Sequence, residues 1–288
     1  MSISANGGRR GPSPAALLLA LALALCCVVV VSRATPRHAA RYEQHCGLCH
    51  DDPSGGGKRS LYAAQYLLPV EMVSFPPDTA SLARLDPRLG ENLSVGCDLR
   101  TMHHHASGGD PRGFLQMEGN LYLAFDPDPR VALYVARGIS GSYEVFGLAR
   151  LLPAQGYLKA GRFVPPYGWR LADHTAFVRE HGGFAPPAHS DVGLEAGVFP
   201  GPFSVQVAAV NGARGRLRDS DGDLAVSGLL LGRFRLAGLA LAAGGSLRLD
   251  PKDAAGERRS GGGPCAGLHR GRWTWVGEMD WLRRERAG

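Results

Sequence analysis

The chain has 288 residues, a formal net charge of +6, 44% hydrophobic residues, 40 Gly and 20 Pro. That length holds one large β-rich domain with a small appendage, and the many Gly and Pro suit a chain of strands and turns. Basic residues are spread along the sequence, which gives no nucleic-acid signature. No nucleophile elbow, metal-binding helix motif or nucleotide loop points to an enzyme.

Residues 1–34 have the form of an export signal. Arg9 and Arg10 supply positive charge, residues 15–31 are apolar, and Ser32-Arg33-Ala34 offers a small-x-small cleavage site. The rival reading is a membrane anchor, because the apolar run approaches the length that spans a bilayer. Export would place the mature chain in an oxidising compartment.

The next stretch, residues 35–91, opens with His45-Cys46-Gly47-Leu48-Cys49-His50. Cys-x-x-Cys-His is the attachment pattern of a c-type haem. Two thiols can add to the two vinyl groups, and the adjacent imidazole can ligate the iron. The expectation is one covalent haem c on Cys46 and Cys49, with His50 as proximal ligand. A disulfide between Cys46 and Cys49 would make no use of His50. A zinc site from His45, Cys46, Cys49 and His50 crowds four ligands too closely for an ordinary tetrahedron. Met72, on a short helix expected over 61–72, is the candidate distal ligand, with ordinary packing as its alternative. Gly55-Gly56-Gly57-Lys58 lacks P-loop spacing and reads as a flexible turn.

The β pattern begins at Asn92. Residues 94–99 alternate, and His103-His104-His105 reads as an exposed loop, since adjacent histidines point apart. From 114 to 125, Leu115, Met117, Leu121, Leu123 and Phe125 share one face while Gln116, Glu118 and Asn120 share the other. That is strand periodicity. Further strands are expected at 131–137, 143–152, 157–163, 191–199, 203–210, 225–231, 233–241 and 244–250, with a Gly-rich loop running to Gly271. In the last run Trp273, Trp275, Met279 and Trp281 fall on one side, a pattern that a lipid interface selects. Short turns alternate with longer ones, and the runs are about long enough for tilted strands to cross a bilayer. A soluble antiparallel sandwich shows the same alternation.

Gly161-Arg162-Phe163-Val164-Pro165-Pro166-Tyr167-Gly168 is similar to the Gly-x-Phe-x-Pro-Pro-Phe-Gly strand end of the phosphate-selective porin family. Residues 113–282 resemble a porin-like outer-membrane β-barrel, and the whole chain resembles exported bacterial proteins that join one Cys-x-x-Cys-His motif to such a barrel. The resemblance implies a mainly β, antiparallel porin-like membrane barrel over 92–288, with an inward loop and basic constriction residues. Lys159, Arg162 and Arg170 occupy comparable positions. The chain ends in Arg283-Arg284-Glu285-Arg286-Ala287-Gly288 rather than in an aromatic residue, so the barrel is expected to be incomplete at its C-terminus.

The function expected on these grounds is non-enzymatic. It is an outer-membrane porin-like protein of a Gram-negative cell, with its haem segment in the periplasm, serving solute passage or electron transfer. Its partners would be outer-membrane lipid, a periplasmic redox partner and small solutes. The alternatives are a soluble periplasmic electron-transfer cytochrome and a periplasmic binding module with a structural disulfide.

Overall fold

A computed structural model describes residues 41–72, 84, 86–105, 113–138, 143–170, 178, 182, 189–213, 216–219, 222–252 and 256–286. The expected export signal lies outside the described residues. A 3₁₀ turn at Cys46–Leu48 and a π-wound helix α1, Ala63–Met72, precede the strands. These are β1 (Leu93–His104), β2 (Gly113–Asp128), β3 (Val131–Gly138), β4 (Tyr143–Leu152), β5 (Gly156–Phe163) and β6 (Asp191–Val198). They continue with β7 (Phe203–Val210), β8 (Ala225–Leu236), β9 (Leu239–Asp250), β10 (Glu257–Arg270), β11 (Trp273–Glu278) and β12 (Trp281–Arg286).

All twelve strands lie in one antiparallel sheet, ordered β1 to β11 by sequence, with β12 also on β10. The sheet is not closed: β1 and β11 are the two ends of that order. The strands β11 and β12 share one register along β10, with Cys265 opposite Glu278 and Gly262 opposite Trp281. Between them Pro264 has no N–H to donate, so only its carbonyl is used, accepting from the Met279 amide at 3.1 Å.

Two turns differ from the sequence expectation. The break expected at Gly232 is interior to β8, and the reversal falls at Ala237 and Gly238, both with positive φ. The Gly-rich stretch before Gly271 is strand β10, not a loop. Its glycines admit close neighbours there: a Cβ on Gly263 would collide with the Met279 carbonyl, and one on Gly262 would lie 2.6 Å from the Ser246 carbonyl. His103 and His104 end β1 rather than forming a loop, and the His103 ring packs edge-on to Phe114 at 5.0 Å.

Strand periodicity sorts side chains onto two faces of opposite character. On one face Leu121, Leu133, Val145, Leu158, Leu194, Leu230 and Leu247 are exposed, Leu121 at 68%. The covered face carries Tyr122, Tyr134 and Phe146 on β2 to β4, packed opposite small residues such as Ala124 and Ala136. On β5 to β9 that same face also buries polar side chains, Lys159, Glu195, Gln206, Ser227, Arg233 and Arg248, beside apolar Tyr157, Ala208 and Leu231. The covered face thus combines an aromatic core with buried charges, while the other face is apolar and exposed.

The covered face is hidden by residues 41–67 and by the loop after β5. That loop reaches across to β11, where the Trp169 indole donates to the Gly277 carbonyl at 2.9 Å and the Trp169 amide to Glu278 at 3.0 Å. The Tyr167 hydroxyl donates to Asp280 at 2.9 Å.

The register depends on glycines where strands approach. Gly193→Val on β6 would drive a Cβ into the backbone at Ala209 and Val210. It should destabilise the sheet by about 1–3 kcal/mol, read as a lower urea midpoint. Gly113→Ala, at a position with open space around it, should leave the midpoint unchanged.

Candidate functional site

The Cys46-Gly47-Leu48-Cys49-His50 segment is a tight turn held by its own backbone. The amides of Cys49 and His50 both donate to the Cys46 carbonyl at 3.0 Å. The return strand closes it: the Ser60 amide donates to the Cys49 carbonyl at 3.0 Å, and the Ser60 hydroxyl to the Leu48 carbonyl at 2.7 Å. Between them Gly55, Gly56 and Gly57 all have positive φ, at 95°, 77° and 62°. Only glycine visits that region freely. A Cβ on Gly56 would strike the Arg170 guanidinium, and one on Gly57 the Tyr134 hydroxyl. The stretch expected as a flexible turn is therefore a fixed coil that lets the segment lie flat on the sheet.

One buried ionic network fastens the segment down. The Lys159 ammonium donates to Asp52 at 3.0 Å and to the Ser54 hydroxyl at 2.6 Å, and pairs with Glu195 at 2.9 Å. Lys159 and Glu195 face each other across β5 and β6. Arg170 extends the network, reaching Asp52 at 3.2 Å and both oxygens of Glu144 at 3.1 Å. Glu195 also accepts from the Tyr157 hydroxyl, which in turn accepts from the Gln206 amide at 2.9 Å. The side chains of Lys159, Glu195 and Asp52 are 0–2% exposed. Burial pushes the Asp52 carboxyl up, but Lys159 and Arg170 outweigh it and hold it below its usual value.

Beside this network is a cleft lined by Cys46, Cys49, His50, Trp169, Phe199 and Arg233. His45 stacks on Phe199, with ring centroids 4.3 Å apart, and its Nε2 pairs with the Gln155 amide oxygen at 3.0 Å. Burial raises both thiols above their ordinary range, so they are protonated at neutral pH and are not a thiolate pair. Burial, with Arg59 and Arg170 nearby, lowers His50 to about 3. Its imidazole is neutral, and its buried Nδ1 has no hydrogen-bond partner. Two thiols and a neutral imidazole lining one cleft fit the demands of a covalently attached haem.

Of the residues singled out from sequence, Cys46, Cys49 and His50 converge on the cleft, and Arg170 also lines it. Lys159 and Arg170 are drawn together by Asp52. Arg162 stays apart, donating to the Ser190 hydroxyl at 2.8 Å and to Tyr143 at 3.2 Å. Met72 ends α1, and its side chain lies outside the described residues. Cys97 is exposed on β1 and Cys265 is buried on β10. Among the described residues no group of three His, Cys, Asp or Glu is placed to hold a metal ion.

Asp52, Glu144, Glu195 and Arg233 are missing from the sequence reading. The available signal was the placement of single charged residues, such as Glu195 in Asp191-Val192-Gly193-Leu194-Glu195, on the strand face opposite the leucines. In comparisons with protein-family models, curated proteins and solved structures, nothing matches this chain.

Removing one partner from a buried ion pair leaves an uncompensated charge, at a cost of about 3–5 kcal/mol. Lys159→Met and Asp52→Asn should each loosen the docked segment, seen as faster protease cleavage within residues 41–60. The double variant should recover part of the loss, since the two changes act on one pair.

Acid should loosen the same segment in haem-free protein. His50 takes up a proton in the unfolded chain near its ordinary 6.5 but in the folded chain only at about 3. The unfolded state therefore binds more protons within that window, so stability falls as pH drops from 6.5 toward 3, by up to about 1.4 kcal/mol per pH unit. Asp52, held low, adds a loss that begins below its ordinary 3.8. Thermal midpoints measured from pH 7 to pH 4 should fall, and His50→Phe should flatten the upper part of that slope.

Proposed function

We propose that the protein is a porin-like outer-membrane β protein carrying one c-type haem against the charged inner face of its sheet, where it serves as an electron-transfer scaffold. The observation that carries this reading is that Cys46, Cys49 and His50, with its neutral imidazole, all line one cleft. In this reading the open sheet is part of a membrane barrel, since a bilayer does not tolerate an unpaired sheet edge.

The faces of the sheet support the membrane location. A row of exposed leucines and valines runs across β2 to β9, and Trp273, Trp275 and Trp281 stand exposed at the β11 and β12 end. Water penalises such a continuous apolar surface, whereas lipid accepts it. A soluble cytochrome or binding module would present this face to water.

Attachment needs the chain to supply two reduced thiols. Cys46 and Cys49 would hold the haem through thioethers, each S–H adding across one vinyl group, which would consume no oxidant. Cys46 and Cys49 are held as protonated thiols on one turn, and the His50 imidazole is kept neutral for iron. When bound, haem supplies one-electron chemistry. Phe199, Trp169, Leu229 and Leu231 make part of the cleft lining apolar. Passage of small solutes along this face is opposed by the docked segment, because its Asp52 occupies both Lys159 and Arg170. A redox partner would approach the mouth of the cleft.

Expression in cells competent for c-type cytochrome maturation tests both parts. Denatured protein should show peroxidase-active haem staining at the mature mass, lost in Cys46→Ala and Cys49→Ala, and the chain should fractionate with the outer membrane. On the exposed face, Leu133→Arg should cost about 2–4 kcal/mol if that face meets lipid, lowering recovery from the membrane. Soluble periplasmic recovery, with Leu133→Arg neutral, overturns the membrane location. An unstained band overturns the haem.

A further inference from the structure

Arg233 stands on β8 with its side chain on the inner face, 7% exposed, lining the same cleft as Cys46, Cys49 and His50. A guanidinium carries five N–H donors and a charge that it does not lose. The partner found for it is a neutral one: Nη1 donates to the Ser204 hydroxyl at 2.7 Å. Its buried Nε has no acceptor. The contrast with Arg170 across the cleft is direct, because Arg170 is matched by the carboxylates of Asp52 and Glu144. Among the described residues no Asp or Glu lines the cleft, whereas Arg59, Arg170 and Arg233 all do. A buried cation without a counter-charge is costly, and a ligand that brought an anion into the cleft would offset that cost.

We propose that Arg233 is the counter-ion for a propionate carboxylate of the haem attached at Cys46 and Cys49. The inference rests on the haem reading and adds to it the residue that fixes the orientation of the group within the cleft. The chemistry matches in three respects. A planar guanidinium pairs with a carboxylate through two parallel hydrogen bonds. The pair would lie in a water-poor wall next to Leu231, where it is least screened. Ser204 fixes one Nη, which leaves the other nitrogens for the ligand. The reacting iron and thioether bonds do not involve Arg233, so it is a positioning residue.

The test uses full-length protein in detergent, with and without attached haem, the haem-free reference being the Cys46→Ala/Cys49→Ala chain. Arg233→Met keeps the length and apolar stem and removes the charge. If the ligand supplies the anion, this variant raises the thermal midpoint of haem-free protein, because a buried unpaired cation is gone. It lowers the midpoint of haem-loaded protein, because a buried carboxylate is then left alone. A second readout is the reduction potential against pH. Wild type should be nearly flat between about pH 5 and 8, with the propionate ionised throughout. In Arg233→Met the unpaired carboxyl should titrate in that range, so the potential falls as pH rises, and Arg233→Lys should restore part of the flatness.

Equal losses of stability in both forms, with a wild-type potential profile, would show that Arg233 is only a strut for Ser204 and would overturn the proposal. A wild-type chain that carries no haem at all fails at the stain, before Arg233 is varied. That result overturns the functional reading and this inference with it. Normal staining with unchanged Arg233→Met behaviour overturns the inference alone.

Discussion

The ion pair between Lys159 and Asp52 is the contact on which the site depends. It joins the middle of β5 to the turn that follows the Cys-x-x-Cys-His motif, and both side chains are almost wholly out of water. Neither group could be buried alone, because the desolvation of a lone charge exceeds what one hydrogen bond returns. Glu195, Arg170 and Glu144 complete the set, and each carboxylate has at least one cation within 3.2 Å. The network ties the segment's position to the register of β5 and β6, so cleft and sheet form as one object.

The division of the sheet into two faces follows from the same economy of charge. With polar groups gathered on the inner face, the strands have their leucines and valines left for the other side. The segment docked on that inner face makes hydrogen bonds and ion pairs, such as that of the Lys58 amide to the Tyr134 hydroxyl at 2.8 Å, beside the stack of His45 on Phe199. Bonds of this kind have strong distance and angle requirements, and they hold the two cysteines and His50 in one orientation toward the cleft.

The electrostatics of the cleft are asymmetric for a reason visible in its walls. On the Asp52 side Lys159 and Arg170 each have their acids. On the β8 side Phe199, Leu229 and Leu231 make the wall apolar, and Arg233 is set into it with a serine for company. Burial keeps the neighbouring thiols protonated and the imidazole neutral, so the wall presents uncharged nucleophiles and a lone-pair donor beside a cation.

Much of the architecture was legible from residue order. Period-two alternation located β3 to β7 within a residue, since each strand has one apolar and one polar side and short turns bound it, whereas β2 runs three residues past the expected end at Phe125, through Asp126-Pro127-Asp128. Cys46, Cys49 and His50 were legible as a unit because they are adjacent in sequence, and the structure places all three on the cleft. The turn after β8 was misplaced at Gly232 because glycine serves both turns and close strand contacts, and only the paired register distinguishes the two. The same ambiguity hid the β10 strand within Gly261-Gly262-Gly263. Which face of the alternation would be covered could not be read from periodicity, which is indifferent to inside and outside. The partners of Lys159, 107 residues away in Asp52 and 36 away in Glu195, were equally out of reach. Ion pairing acts through space, and folding alone brought those carboxylates to the same ammonium.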